Sequence, residues 1–255
     1  MLQRPGQPRP FLFAMIIPVT SVDIRFAPGL WPAPQALCDR VPEIWGWLTA
    51  ANPHLWDGRV LGVSGPGGEG PPVVGNGVLR GEAREDSFSA FLAWRHLGFP
   101  EIGVRNLFGS GVIVSADGAL LFGVMGATTA NAGFVYPPGG SLEPGDVRPD
   151  GQVDVLASLA RELNEETGLD AAEARAGAMV AIFEGPRVSL ARLFHFAEDA
   201  AALTARVRGN LERQEHRELA DVVAIRTRDD LMAAGPYPPY AEELVDAFVA
   251  GTLTP

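Results

Sequence analysis

Three glutamates fall inside five positions of the stretch RELNEETG: Glu162, Glu165 and Glu166. Like charges three and four apart on a helix repel by roughly 0.2–0.5 kcal/mol per pair, so the grouping needs a reason. Carboxylates are the ligands that magnesium and manganese prefer, and a shared divalent ion turns mutual repulsion into attraction. Magnesium in particular binds a few carboxylates together with substrate phosphates. The other reading is a solvated acidic helix face. Helix geometry alone does not decide between the two.

The element that positions these acids reads as a helix. Asp154 is a suitable N-cap, the helix runs to about Thr167, and Gly168 is the C-terminal glycine. At about 100° per residue, Leu156, Leu159 and Leu163 form one stripe expected to face the core. The three glutamates occupy an adjoining arc of roughly 100° by the same geometry. Acids there would look along a sheet edge into a cleft.

Sequence context narrows the choice. Gly140, Asp146, Arg161, Glu162, Leu163, Glu165, Glu166, Gly168 and Leu169 resemble the Nudix box, G-x5-E-x7-R-E-U-x-E-E-x-G-U with U aliphatic. The half RELNEETGL matches at every specified position. With each fixed residue at roughly 6%, such a match arises by chance on the order of 10⁻⁵ times in a chain of this length. The first half departs twice. Asp146 stands where the box has glutamate, and fourteen residues rather than seven separate it from Arg161. The extra seven fall in VRPDGQV, before the helix, and should lengthen the loop without disturbing helix register.

The resemblance implies an α+β fold: a Nudix-type α/β/α sandwich with a mixed sheet over residues 101–255, preceded by a smaller N-terminal α/β region over 1–100 that could pack on or cap the site. It implies that Glu162, Glu165, Glu166 and the carbonyl of Gly140 hold Mg2+ or Mn2+ against a diphosphate, with Arg161 orienting the carboxylates. A further acid from a later loop often joins as ligand or base. RQEHRELADVVAI offers Glu215 and Glu218, of which Glu215 is favoured. The implied reaction is metal-assisted hydrolysis, with Glu162 or Glu215 accepting a proton from the attacking water. The implied substrate is a nucleoside diphosphate linked to another group. Segments NPHLWDGRV and FSAFLAWRHLG are loosely similar to a branch that hydrolyses UDP-sugars and also has a lengthened box loop, which favours a nucleotide sugar. Pro186 sits near where ADP-ribose hydrolases often carry a proline. The reading from a different class is a non-catalytic Nudix module that senses a nucleotide.

The bulk properties set outer limits. The 255 residues are 47% apolar and 20% charged, with a net charge of -11, as in a globular chain without a broad basic footprint for nucleic acid or anionic membrane. The single cysteine, Cys38, leaves no internal disulfide and no Cys-based zinc site, and it reads as a small buried residue; the cytoplasm is the expected location. MLQRPGQPRP reads as a disordered lead, and Pro18 within the following apolar run argues against a signal peptide. No segment reaches the ~20 apolar residues of a membrane span. Strands are expected from Met15 to Phe26, at GRVLGVSG and at VVGNGVLRGEA; the loop GPGGEGPP between the last two lacks the Lys-Ser/Thr ending of a P-loop. Helices are expected at PQALCDRVPEIWGWLTAAN, kinked by Pro42, and at EDSFSAFLAWRHLG. GSGVIVSADGALLFGVMG reads as a hairpin around ADG. AMVAIFE, VSLARLFHFAE and DVVAIR read as strands, and YAEELVDAFVAG as a closing helix. His195 reads as a sheet residue, and His216 as a neighbour of Glu215 that could touch a phosphate.

Overall fold

The computed structural model describes residues 14–253, so the lead expected over residues 1–10 lies outside the described residues. The single strand expected from Met15 to Phe26 is two strands in different sheets. β1 (Met15–Pro18) pairs antiparallel with β9 (Arg175–Glu184), and β2 (Ser21–Leu30) runs parallel to β5 (Val78–Ser87). Pro18 has no N–H to continue a ladder. After it the chain changes partner: Val19 N–H still donates to Met179, but Thr20 N–H donates to Gly77.

The larger sheet has seven strands in the order β1, β9, β10 (Arg187–His195), β6 (Asn106–Val114), β7 (Leu120–Met125), β11 (Leu219–Ile225), with β8 (Val135–Tyr136) on β7. Its members β6 and β10 are parallel, and its other pairings are antiparallel. β6 and β7 pair only at the end beside the Ala116–Gly118 turn, at Ile113 and Val114. They then diverge, and residues 138–141 run beside β6 instead: Gly111 N–H donates to Pro138, Gly109 N–H to Gly140, and Phe108 bridges Ser141. The future site grows from this split.

Helices cover both faces. On one side lie α4 (Val155–Thr167) and α5 (Ala200–Leu211), the latter against β7 and β11. On the other lie α7 (Pro239–Val249) and its neighbour α6 (Arg228–Ala234). Alternation in β6 settles the sides. A Cβ on Gly109 would stand 2.9 Å from Leu159 Cβ and one on Gly111 3.2 Å from Leu163 Cβ, so two glycines let α4 sit close. Phe108, pointing the opposite way, packs its ring 5.1 Å from that of Tyr240 in α7. The result is an α+β protein with an α/β/α sandwich at its centre.

The remaining strands form a four-stranded sheet, β2-β5-β3 with β3 at Arg59–Ser64, plus β4 (Val73–Gly75) on β5. VVGNGVLRGEA is thus a hairpin turning at Asn76–Gly77, both with positive φ. Pro42 sits in the first turn of α2 (Val41–Ala51), where its missing N–H costs nothing, so α1 (Gln35–Cys38) and α2 are separate helices rather than one kinked helix. With α3 (Phe88–His96) they enclose an aromatic cluster in which Trp31 and Trp94 meet edge-on at 5.8 Å. Cys38 is exposed, contrary to expectation, because only Leu37 of the one-turn α1 turns inward.

The two sheets share a core. Ile24, Leu61 and Leu79 of one pack with Leu107, Ala181 and Leu190 of the other. Leu61 N–H donates to Leu142 at 2.7 Å, and Val63 and Arg105 exchange two main-chain bonds. Together with β1 in the large sheet, this means that packing does not stop near residue 100. Among the described residues no helix is long and apolar enough to cross a membrane.

α4 ends as its sequence suggested. Asp154 caps Ala157 N–H at 3.0 Å, and Gly168 takes φ 72° and donates to Asn164. A Cβ there would also stand 2.4 Å from the Asn210 side chain of α5. Gly168→Ala should therefore lower stability by roughly 1 kcal/mol or more, read as a lower denaturation midpoint at unchanged m-value.

Candidate active site

The buried face of α4 is rotated from the expected stripe. Val155, Leu159, Leu163 and Glu166 are buried, while Leu156 is 42% exposed. At about 100° per residue, Val155, Leu159 and Glu166 lie within roughly 40° of one another, with Leu156 off to one side. Glu166 is consequently in the middle of the buried face, not beside it. The acids grade outward: Glu166 buried, Glu162 half-buried, Glu165 exposed.

The lengthened loop loops out. Asp154 N–H donates to the Asp146 carbonyl at 2.8 Å, and Val147 and Val153 form an antiparallel bridge. Residues 147–153 are thereby excluded as a small hairpin, and Asp146 is returned to the start of α4. That hairpin docks on β2: Arg25 bridges Gln152, Phe26 N–H donates to Gly151, and the Gln152 side-chain amide donates to Asp23. The extra residues thus tie the α4 loop to the N-terminal sheet.

Asp146 is buried and accepts three bonds, from Glu143 N–H (2.8 Å), Ser158 Oγ (3.0 Å) and Arg161 Nη2 (2.9 Å). The other Arg161 nitrogen reaches Glu162 Oε1 at 3.2 Å and Glu165 Oε2 at 3.6 Å. Burial pulls the Arg161 guanidinium down, but Asp146 and Glu162 outweigh it and hold it above its ordinary range. Arg161 therefore links the loop carboxylate to two helix carboxylates. Asp146→Asn should cost about 1–3 kcal/mol of stability in chemical denaturation, because one oxygen becomes a donor facing Ser158 or Glu143 and the charge on Arg161 loses its buried partner.

The loop side is built by Pro138-Gly139-Gly140. A Cβ on Gly139 would meet the Gly109 carbonyl at 2.0 Å, and one on Gly140 the Glu162 carboxylate at 2.7 Å. Gly140, expected to offer its carbonyl, already accepts Gly109 N–H at 3.2 Å, leaving that oxygen one lone pair.

Electrostatics mark the group as strained in its charges. Burial pushes the Glu162 carboxyl up to about 7; Arg161 opposes this, and Glu165, Glu218 and Glu143 add to it. Burial holds Glu166 well above the usual carboxylate range, with Glu218 and Glu162 adding and a Gly139 backbone hydrogen bond opposing. Glu143 is raised by burial, with Arg161 opposing. Glu166 Oε2 is buried and has no hydrogen-bond partner among the described residues.

Of the two later acids, the structure brings in Glu218 rather than Glu215. Glu215 is exposed, makes no hydrogen bond or ion pair among the described residues, and is not among the charges acting most strongly on Glu162 and Glu166. Glu218 is. It retains solvent exposure, yet the protein around it raises its carboxyl, and Glu165 adds. The reason is the strand start: Gly126 N–H fixes the Glu218 carbonyl at 2.6 Å and Leu219 packs inward, so 218 stays with the sheet while 215 remains in the turn. The turn itself touches α4 through Gln214 Nε2, 2.7 Å from the Glu165 carbonyl. His216 is exposed, and His195 lies at the end of β10 with Nε2 against Gly177, away from the acids.

The candidate ligands here are all oxygens, which is the donor chemistry of a hard divalent ion, and the unpartnered Glu166 oxygen is what such an ion would satisfy. Among the described residues no group of three or more His, Cys, Asp or Glu side chains stands in ligating geometry. In this arrangement Arg161 supplies the neutralising charge.

No family model matches the chain. No curated protein matches it either. Several solved structures are similar in part. A MutT protein from Methanosarcina mazei Go1 is 18% identical, with 58% of this chain and 95% of that chain covered, at a TM-score of 0.39. A Nudix hydrolase from Nitrosomonas europaea is 18% identical, covering 59% and 93%, at 0.39. The Nudix hydrolase RenU from M. smegmatis is 18% identical, covering 58% and 86%, at 0.37. Likenesses at this level assign the chain to no family, and the functional reading rests on the site.

Proposed function

We propose that this chain is a Nudix-type pyrophosphohydrolase that uses Mg2+ or Mn2+ to cleave the diphosphate of a nucleoside diphosphate linked to another moiety, with a nucleotide sugar as the favoured substrate. The observation that carries this is the buried, unpartnered Glu166 oxygen within a set of carboxylates whose proton affinities are raised by burial and by one another. A structural acidic face would leave its charges in water. Glu166, Glu162 and Glu165, with the free lone pair of the Gly140 carbonyl, are the groups that would hold the cation. When bound, a divalent ion neutralises the diphosphate oxygens and makes a water more acidic.

The chain's own residues supply the rest. Glu162 is one candidate base, able to take a proton from water. Glu218 is the second candidate base, in place of Glu215. Arg161 orients Glu162 and Glu165 and is itself held by Asp146. Gly139 and Gly140, without side chains, let the loop backbone lie against β6 and the Glu162 carboxylate.

The test is a panel of nucleoside-diphosphate sugars, dinucleotides and coenzyme A derivatives incubated with Mg2+, Mn2+ or EDTA. Metal-dependent release of a nucleoside monophosphate supports the proposal. Tight binding without turnover would replace it with the nucleotide-sensing module.

A further inference from the structure

Arg95, at the C-terminal end of α3, is a half-buried cation without a carboxylate. Its guanidinium donates to Asn131 Oδ1 (2.9 Å) and to the Ala130 carbonyl (3.3 Å), and it lies 5.9 Å from the centre of the Phe91 ring. All three partners are neutral, and among the described residues it forms no ion pair. The neighbouring charge that acts on it is another cation, Arg187 at the start of β10. Arg187 pairs with the buried Glu184, whose second oxygen accepts Tyr240 N–H. The Arg187 Nε is buried and has no hydrogen-bond partner among the described residues. Arg187 thus has one carboxylate, itself shared with Tyr240 N–H, and Arg95 has none, leaving an uncompensated positive charge and an unused donor in a chain of net charge -11.

A partly desolvated cation with open donors is costly unless an anion completes it, and guanidinium geometry suits phosphate and carboxylate oxygens. The place is connected to the acidic site. Asn131 Nδ2 donates to the Tyr136 hydroxyl at 3.0 Å, and the Tyr136 and Tyr240 rings stand 6.3 Å apart. Tyr136 is within electrostatic reach of Glu166, Glu218 and Arg95; Tyr240 is within reach of Glu166 and Arg187. The loop carrying Asn131 is gripped by two helices of the N-terminal region, since Asn52 at the end of α2 also donates to Thr128 at 2.9 Å.

We propose that Arg95 and Arg187 form an oxyanion-binding point beside Tyr136 and Tyr240, which holds a phosphate or carboxylate of the substrate apart from the oxygens gripped at the acidic site. This rests on the pyrophosphohydrolase reading and deepens it. Residues 1–100 contribute a substrate-positioning side chain, Arg95. The oxyanion is either the more distant phosphate of the diphosphate or an anionic substituent on the linked group.

The first measurement is pyrophosphate binding by calorimetry in EDTA, for wild type, Arg95→Gln, Arg187→Gln and, as a surface control, Arg148→Gln. Wild type and the Arg148 variant should bind alike, and the Arg95 and Arg187 variants at least about tenfold more weakly. Arg95→Lys, which keeps the charge without the planar fork, should fall between and guards against a folding defect in the glutamine variant. Equal binding by wild type and Arg95→Gln would overturn the proposal, whatever the enzyme's activity. Arginine-dependent binding in a protein that shows no turnover would uphold the anion site and remove only the hydrolase reading. With metal present, Arg95→Gln should raise KM with little change in kcat. A rise for uncharged and uronate nucleotide sugars alike assigns the diphosphate, and a rise for the uronate alone assigns the substituent. No rise with either overturns the role in substrate positioning.

Discussion

Glu166→Gln should lower metal-dependent turnover by at least about 10²-fold while leaving the fold intact. The two halves of that outcome come from one observation. Glu166 is 4% exposed, its Oε2 has no partner, and burial with Glu218 and Glu162 holds its carboxyl far above the usual range. Without a cation, burial favours the neutral form of the carboxyl, and glutamine is close to that form in shape and charge. The metal-free variant should melt within a few degrees of wild type, which is the shift of ~1 kcal/mol or less in a domain of this size. With a cation the comparison reverses, because an amide cannot supply the anionic oxygen. Saturating Mn2+ should raise the melting temperature of wild type through binding to the native state alone, and raise that of the variant much less. Glu165→Gln offers a graded contrast: its side chain is 59% exposed and already shared with Arg161, so its loss should reduce turnover with less effect on metal-induced stabilisation. Near-wild-type rates in both variants would remove the metal-site assignment.

The parts legible in the sequence are those whose signal is local. Helix α4 has its cap, its glycine terminator and its box residues within one short window, and the hairpin around Asp117 declares itself by two apolar runs about a turn. The rotation of the buried face was not legible. A count of leucines places Leu156 inward, but the core accepts Val155 and Glu166 there because Gly109 and Gly111 fix how α4 sits on the sheet. Helix α5 was missed because alanine, arginine and asparagine give it little contrast between faces; its sequence signal was Asp199, which caps Ala202. Helix α6 is short, and its Thr227–Asp230 capping box is the cue that could have found it. The choice between Glu215 and Glu218 depends on where β11 begins, which sequence patterns place only to within a few residues. Arg95 carried no motif. Its hydrogen-bond partners, Asn131 and the Ala130 carbonyl, lie in the loop between β7 and β8, contacts that no local window contains.

The same acids set how stability depends on pH. Glu162, Glu166, Glu143 and Glu218 all bind protons more tightly in the folded protein than in the unfolded chain. Their contribution is complete below the ordinary carboxylate range and is lost as pH rises through the folded value. For Glu162, raised from 4.5 to about 7, the loss between these limits is on the order of 3 kcal/mol. Carboxyls lowered by arginine partners, such as Asp221 beside Arg208, act in the opposite direction, but their contribution disappears only as pH falls below about 4. The windows do not overlap. In EDTA, unfolding free energy from urea titrations should therefore fall between pH 5 and 7, and Glu162→Gln should flatten that slope. A divalent cation must find these groups deprotonated, so Mn2+ should stabilise the protein more at pH 8 than at pH 5.5 and cancel the decline seen without it. Metal-free stability that stays level or rises from pH 5 to 7, with a Mn2+ effect indifferent to pH, would mean that the acids are solvated after all and do not share a cation.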